Sequence, residues 1–218
     1  MDKKNFEIEV SDSIGTVSAE LVTSSNPRAL ITLAHGAGAG MNHSFMIELS
    51  DSLAEVGLST LRYNFPYMEQ KKRRPDVPAI AHKTVEAAIQ KAHELFPTIP
   101  LFVSGKSFGS RMSSQYLSNH SPTFVKGIIF FGFPLHPAGK PAIDRAAHLK
   151  TVKIPMLFLQ GTRDELAQLS LIEKVTDELQ SAKLLKIEGA DHSFKAGKQN
   201  MIPLLADFTK DWIALILT

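Results

Sequence analysis

Ser107, Asp164 and His192 are the residues whose types and settings could do covalent chemistry. Ser107 is the centre of Gly105-Lys106-Ser107-Phe108-Gly109, a Gly-x-Ser-x-Gly pattern. A serine becomes a nucleophile when a sharp strand-to-helix turn holds its hydroxyl out and a base takes its proton. Glycines two residues to either side let strand and helix crowd together at such a turn. Asp164 lies in Gly161-Thr162-Arg163-Asp164-Glu165, and His192 in Gly189-Ala190-Asp191-His192-Ser193-Phe194. A neutral imidazole can deprotonate the serine, while a carboxylate fixes the imidazole's tautomer and stabilises the imidazolium. Serine, then carboxylate, then histidine is one of the chain orders in which this triad occurs. Asp191 is poorly placed for the part, because adjacent side chains on a turn usually diverge. Glu165 stays open as a rival to Asp164, since a loop register can slip by a residue.

Each of the three needs a strand ending beneath it. Residues 100–104 form a short apolar run, and Phe108, Met112 and Tyr116 follow at helical spacing, which predicts strand, elbow, helix. Residues 154–160 and 183–188 read as the strands that lead into the other two loops. Residues 29–34, 58–65 and 125–131 are further apolar strands, of the kind buried on both faces of a parallel sheet. Residues 6–10 and 16–22 alternate and predict an antiparallel pair at the N-terminus. Helices are expected over 44–56, with Phe45, Leu49, Leu53 and Val56 inward, and over 78–96, with Ile80, Val85, Ala88, Ile89 and Ala92 inward. A C-terminal helix carries Met201, Leu204, Leu205, Phe208, Trp212 and Leu215 on one face. It is too short, and too interrupted by Lys210 and Asp211, for a membrane span. The connection from 132 to 154 is too short for a cap domain, and His136 and His148 within it are expected in structural or surface roles.

Two glycine patterns invite nucleotide readings. Gly105-Lys106-Ser107 looks like the end of a P-loop, but Pro100 stands where that loop needs its first glycine. His35-Gly36-Ala37-Gly38-Ala39-Gly40-Met41 looks like a dinucleotide fingerprint, but Met41 replaces the last glycine, and Arg62-Tyr63-Asn64 lacks the ribose-binding acid. The same loop suits half of an oxyanion hole, which needs only free backbone donors. His35 is expected to brace it. Arg73 and Arg74 close the basic run 71–74 in the loop after the fourth strand. They either hold an anionic group of a substrate or form a solvated charge run.

The chain has 218 residues, a formal charge of +2 and no cysteine. That suits one domain over 1–218 and excludes disulfides, thiolate metal sites and a cysteine nucleophile. No global field argues for nucleic acid or for a membrane surface. The N-terminus has no apolar secretory core, so a cytoplasmic location is expected.

Taken together, five blocks resemble the α/β-hydrolase superfamily: residues 35–40, 64–67, 73–76, 105–107, and 161–164 with 191–194. The nearest likeness is to a small, capless, dienelactone-hydrolase-like group related to testis-expressed and histone-acetyltransferase-complex hydrolase-like proteins. The resemblance implies an α/β class: a three-layer α/β-hydrolase fold, mostly parallel, with antiparallel N-terminal strands and no cap. It also implies Ser107, Asp164 and His192 as the triad, the backbones of Phe108 and Ala37 as oxyanion donors, and no metal or organic cofactor. Arg73, Arg74 and Asp76 gain weight as residues that shape the site, and Tyr67 with the basic loop is expected to set the substrate. Phe108, Ser110 and Glu165-Leu166 depart from the group's usual residues, which leaves pocket shape open. The expected activity is hydrolysis of a small acyl ester or thioester through an acyl-enzyme on Ser107. A catalytically silent binding or scaffold module on the same fold is the alternative, and a nucleotide-binding oxidoreductase rests on the glycine loop alone.

Overall fold

Apolar runs of six residues have one way to hide both faces, which is to lie between layers of helices. The computed structural model, which describes residues 1–218, puts β3 (Ala29–Ala34), β4 (Leu58–Tyr63) and β7 (Met156–Gly161) there, with every residue buried. With β1 (Asp2–Ser11), β2 (Gly15–Thr23), β5 (Leu101–Lys106), β6 (Val125–Phe131) and β8 (Ala182–Ile187) they form one eight-stranded sheet. Its order is β1-β2-β4-β3-β5-β6-β7-β8. β1 and β2 pair antiparallel, as do β2 and β4; every pairing from β4 to β8 is parallel.

Helices α1 (Ser44–Glu55) and α6 (Ile202–Ile216) cover one face, packing Leu49 and Leu53 with Leu205 and Trp212 against Ile31, Phe102 and Leu157. Helices α3 (Pro78–Leu95), α4 (Phe108–Asn119) and α5 (Leu169–Asp177) cover the other, with Val85, Met112 and Ile172 against Val103, Ile128 and Phe158. This is the capless three-layer architecture expected. The connection after β6 holds only a 3-10 helix over Asp144–Thr151. No helix is long and apolar enough to cross a membrane.

Several local expectations need correction. The C-terminal helix buries Ile202, Leu205, Ala206, Thr209, Trp212 and Ile213, whereas Leu204 and Leu215 are 38% and 70% exposed. The helix is apolar around most of its circumference, and the true stripe is completed by the small Ala206 and Thr209 rather than by the bulkiest residues. Phe45, Val56 and Ile80 lie at the edges of their helix faces and are only partly buried. The polar loop after β4 contains a short helix, α2 (Pro66–Glu69), opened by Pro66 at its first position. Helix α5 and a hairpin of β9 (Lys195–Ala196) and β10 (Gln199–Asn200) add to the expected elements. Both are too short for periodicity to declare them.

The six parallel strands end at one edge, so the loops after β3, β4, β5, β6, β7 and β8 converge there. The β5–α4 turn is the tightest of them. A Cβ on Gly109 would stand 2.5 Å from the carbonyl oxygen of Ala34 in β3, and one on Gly105 would strike the Gly109–Ser110 backbone. Between them Ser107 adopts φ +51°, ψ −110°, a strained conformation for a non-glycine residue. Its N–H donates to the Gly132 carbonyl at 3.2 Å, and Ser110 Oγ donates to the Gly105 carbonyl.

The neighbouring loops are pinned by side chains. His35 is fully buried; its Nδ1–H donates to Gly36 O at 2.8 Å, and its Nε2 accepts from Phe65 N–H at 3.0 Å. That pattern needs the neutral ring, and burial lowers the pKa to about 4. Asn64 Oδ1 accepts from Met41 N–H at 2.8 Å, tying the loops after β3 and β4 a second time.

Two outcomes follow. Gly109→Ala should lower stability by about 3 kcal/mol or more, because the Ala34 backbone of β3 blocks the methyl group; a denaturant midpoint equal to wild type would contradict the packing. The unfolded chain's His35 binds its proton near pH 6.5, while the folded one holds off to about 4. His35 therefore contributes stability that is complete above 6.5 and is lost as pH falls toward 4, on the order of 3 kcal/mol. Urea midpoints of wild type and His35→Gln, compared at pH 7 and pH 4.5, should converge at the lower value; a constant gap would count against the neutral brace.

Candidate active site

At the sheet's carboxyl edge the elbow and the loops after β7 and β8 meet. Ser107 Oγ lies 2.8 Å from His192 Nε2, and His192 Nδ1 lies 2.7 Å from Asp164 Oδ2. With the ring proton on Nδ1, that nitrogen donates to the carboxylate, and Nε2 is left to accept from the serine hydroxyl. The Asp164 side chain is wholly buried, and that of His192 is 21% exposed.

Asp164 is fixed by more than the imidazole. Its Oδ1 accepts from Leu166 N–H at 2.7 Å, and its Oδ2 also accepts from the Gln160 amide. Gln160 Oε1 in turn accepts from Phe133 N–H at 2.9 Å. A buried carboxylate with no such partners would carry a large desolvation cost. Gln160 escaped the sequence reading, although a lone amide in the apolar strand Met156–Gly161 was the signal.

Glu165 is exposed and makes no contact with the ring, so the register falls on Asp164. Asp191 braces its own loop: its Oδ1 accepts from Ser193 N–H at 2.8 Å and Lys195 N–H at 2.9 Å. His136 and His148 are structural, as expected. Ring nitrogen Nε2 of His136 accepts from Gln168 N–H at 2.9 Å, and His148 bonds Ser114 Oγ at 2.8 Å.

A cavity of about 530 Å³ opens beside Ser107 and His192. Gly36 and Ala37 line one side, as does Lys106, and Phe45 of α1 and Phe194 line another. A Cβ placed on Gly36 would lie 3.6 Å from Ser107 Cβ, so the loop after β3 runs directly past the hydroxyl. Phe108 is the first residue of α4, and its N–H belongs to the helical turn whose donors have no intrahelical acceptor. Of the two expected backbone donors, Phe108 follows Ser107 directly and Ala37 lines the same cavity. The wall from α1 and the hairpin was not read from the sequence; there the Phe45 and Phe194 rings stack at 5.8 Å, with Phe194 at φ +58°.

The expected substrate residues are placed otherwise. Tyr67 has no exposed surface. Its hydroxyl donates to Gly36 O at 3.3 Å, its N–H donates to Asp76 at 3.0 Å, and its ring packs on Phe108. Burial raises its pKa to about 12. Tyr67 and Asp76 shape the loop instead of lining the cavity. Arg73 and Arg74 are exposed, pair with no carboxylate and do not line the cavity. Loss of ion solvation keeps such guanidiniums at the surface unless an anion compensates.

Known proteins share the fold. Among solved structures, the fold matches a homologue of alpha-beta serine hydrolases from Coxiella burnetii with a TM-score of 0.78 and 20% identity, covering 98% of each chain. A dienelactone hydrolase from Anabaena variabilis matches with a TM-score of 0.78 and 19% identity over 99% of each chain. A serine hydrolase without a lid from Xanthomonas campestris matches at 0.75 and 17%, over 99% of this chain and 95% of that one. At these identities the likeness is one of fold. The profile of the alpha/beta hydrolase domain matches residues 27–207, and the chain belongs to that family.

Proposed function

We propose that the protein is a serine hydrolase that cleaves a small acyl ester or thioester through an acyl-enzyme on Ser107, working as one domain over residues 1–218. The observation that carries this reading is the hydrogen-bonded series from Ser107 Oγ through the His192 ring to Asp164.

In the scheme, Ser107 Oγ attacks the acyl carbon as His192 Nε2 takes its proton. Asp164 stabilises the imidazolium without accepting the proton itself. The oxyanion is met by the backbone N–H groups of Phe108 and Ala37, each of which contributes about 3 kcal/mol at the transition state. His192 then protonates the departing alkoxide or thiolate. Water, deprotonated by the same nitrogen, attacks the acyl-enzyme, and collapse returns the proton to Ser107.

The cavity's size and its Phe45, Met46, Phe194, Met201 and Ile202 wall support a small apolar acyl group. The serine and dienelactone hydrolases among the similar structures are consistent with this chemistry. A silent scaffold on the same fold has no use for Ser107 at φ +51°, a conformation that costs about 1–3 kcal/mol.

An alkyl fluorophosphonate should label wild type, and short-chain acyl esters should turn over. Ser107→Ala should abolish both while keeping the wild-type thermal midpoint; a folded wild type that never labels would refute the scheme. Asp164→Asn should lower kcat by about 10³–10⁴ through the wrong imidazole tautomer. Glu165→Gln should stay within about threefold of wild type, since exposed positions rarely shift energies by more than ~0.5 kcal/mol. The reverse ranking in steady-state kinetics would move the carboxylate's role to Glu165.

A further inference from the structure

The acyl-transfer scheme leaves the Lys106 side chain without a part, although it lines the cavity and immediately precedes Ser107. Its Nζ donates to the His192 carbonyl oxygen at 2.6 Å. The ammonium also sits 5.3 Å from the Phe194 ring centre and 5.9 Å from that of Phe45. No carboxylate lies within ion-pair distance of it. A charge so placed loses hydration and receives one carbonyl and two ring faces in return. An apolar side chain would pack against the two rings without that cost. The gain from an ammonium must therefore lie in the bond it makes.

We infer that the Lys106 ammonium is a positioning residue, which ties the loop bearing His192 to the elbow and so sets the base against Ser107. The inference rests on the reading of His192 as that base. On its far side the His192 loop is tied to the loop after β7, by Gly189 N–H on Thr162 Oγ1 at 2.8 Å and by Arg163 N–H on Ala190 O at 2.9 Å. On the elbow side the bond to the backbone of residue 192 comes from Lys106. Residues 106 and 107 are consecutive, so the bond to the loop and the attack on the substrate issue from adjacent points of one rigid turn.

This tie is sensitive to pH. Asp164 and Asp191, from the loops after β7 and β8, favour the ammonium, but burial outweighs them and lowers its pKa to about 8. His43 and Glu48 from the α1 side, Lys195 of the hairpin and His192 itself are the other titratable groups around the same cavity. Above pH 8 the amine is neutral, and its bond to the carbonyl is no longer charge-assisted.

The test is the second-order rate of fluorophosphonate labelling from pH 7 to 9.5, for wild type, Lys106→Met and Lys106→Arg. Wild type should slow by about tenfold with a midpoint near 8, the loss of one charge-assisted bond. Lys106→Met, which keeps the apolar stem, should be level across the range at the slow rate. Lys106→Arg, whose charge persists, should lack the alkaline limb; this arm serves if Lys106→Met does not fold. A wild-type rate that stays level to pH 9.5, or the same limb in either variant, overturns the positioning role. Wild type that fails to label at every pH instead overturns the hydrolase reading on which the inference stands.

Discussion

Backbone packed against backbone at Gly105 and Gly109 is the constraint on which the rest depends. A methyl group on Gly105 would strike the first turn of helix α4, and one on Gly109 would strike Ala34 of β3, so three elements crowd one spot. A chain turning in that space must pass through an unfavourable conformation at its apex, and the residue there is Ser107. The strain is affordable because the flanking strands are buried on both faces and cannot shift. The sheet's stability is thereby converted into a fixed position for one hydroxyl group.

Around that point the protein uses its histidines in two ways, and the partners decide which. His35 and His136 each bond a carbonyl through Nδ1 and accept a backbone N–H through Nε2, so both nitrogens are spent on holding loops. His192 has a carboxylate on one nitrogen and a hydroxyl on the other, so its second nitrogen faces a proton that can move. The three rings are chemically identical. What differs is whether the last acceptor site is closed by backbone or left to a side chain at the edge of a cavity.

Much of this was legible in the sequence because it depends on local signals. The strand ends, the elbow glycines and the chain order of Ser107, Asp164 and His192 are carried by short runs whose meaning does not depend on distant residues. The cavity wall was not legible. Phe45 reads as an ordinary apolar helix position, and only the arrival of Phe194 from 149 positions later makes it part of a pocket. Tyr67 and the Arg73–Arg74 pair are the opposite case. They sit in the right loop for ligand contact, yet whether a side chain in that loop turns inward or outward depends on the buried acceptor at Gly36 and on solvation, neither of which is a property of the loop's own sequence. The single amide of Gln160 interrupts an apolar strand but carries no periodicity that would tie it to Asp164.

The cavity's lining spans the chain from Gly36 to Ile202 and draws on α1, the elbow and the segment after β8. No contiguous portion of the chain holds enough of it to grip a ligand, so the pocket comes into being only when the last strand has docked. Non-local closure of this kind makes assembly slow relative to helical proteins. A molecule resident in the pocket therefore has affinity for the finished fold and for no fragment of it. By mass action, occupancy would raise resistance to complete unfolding while leaving the fraying of the edge strand β1 untouched. The lifetime of the protein among proteases would in this way follow the supply of whatever fills the site.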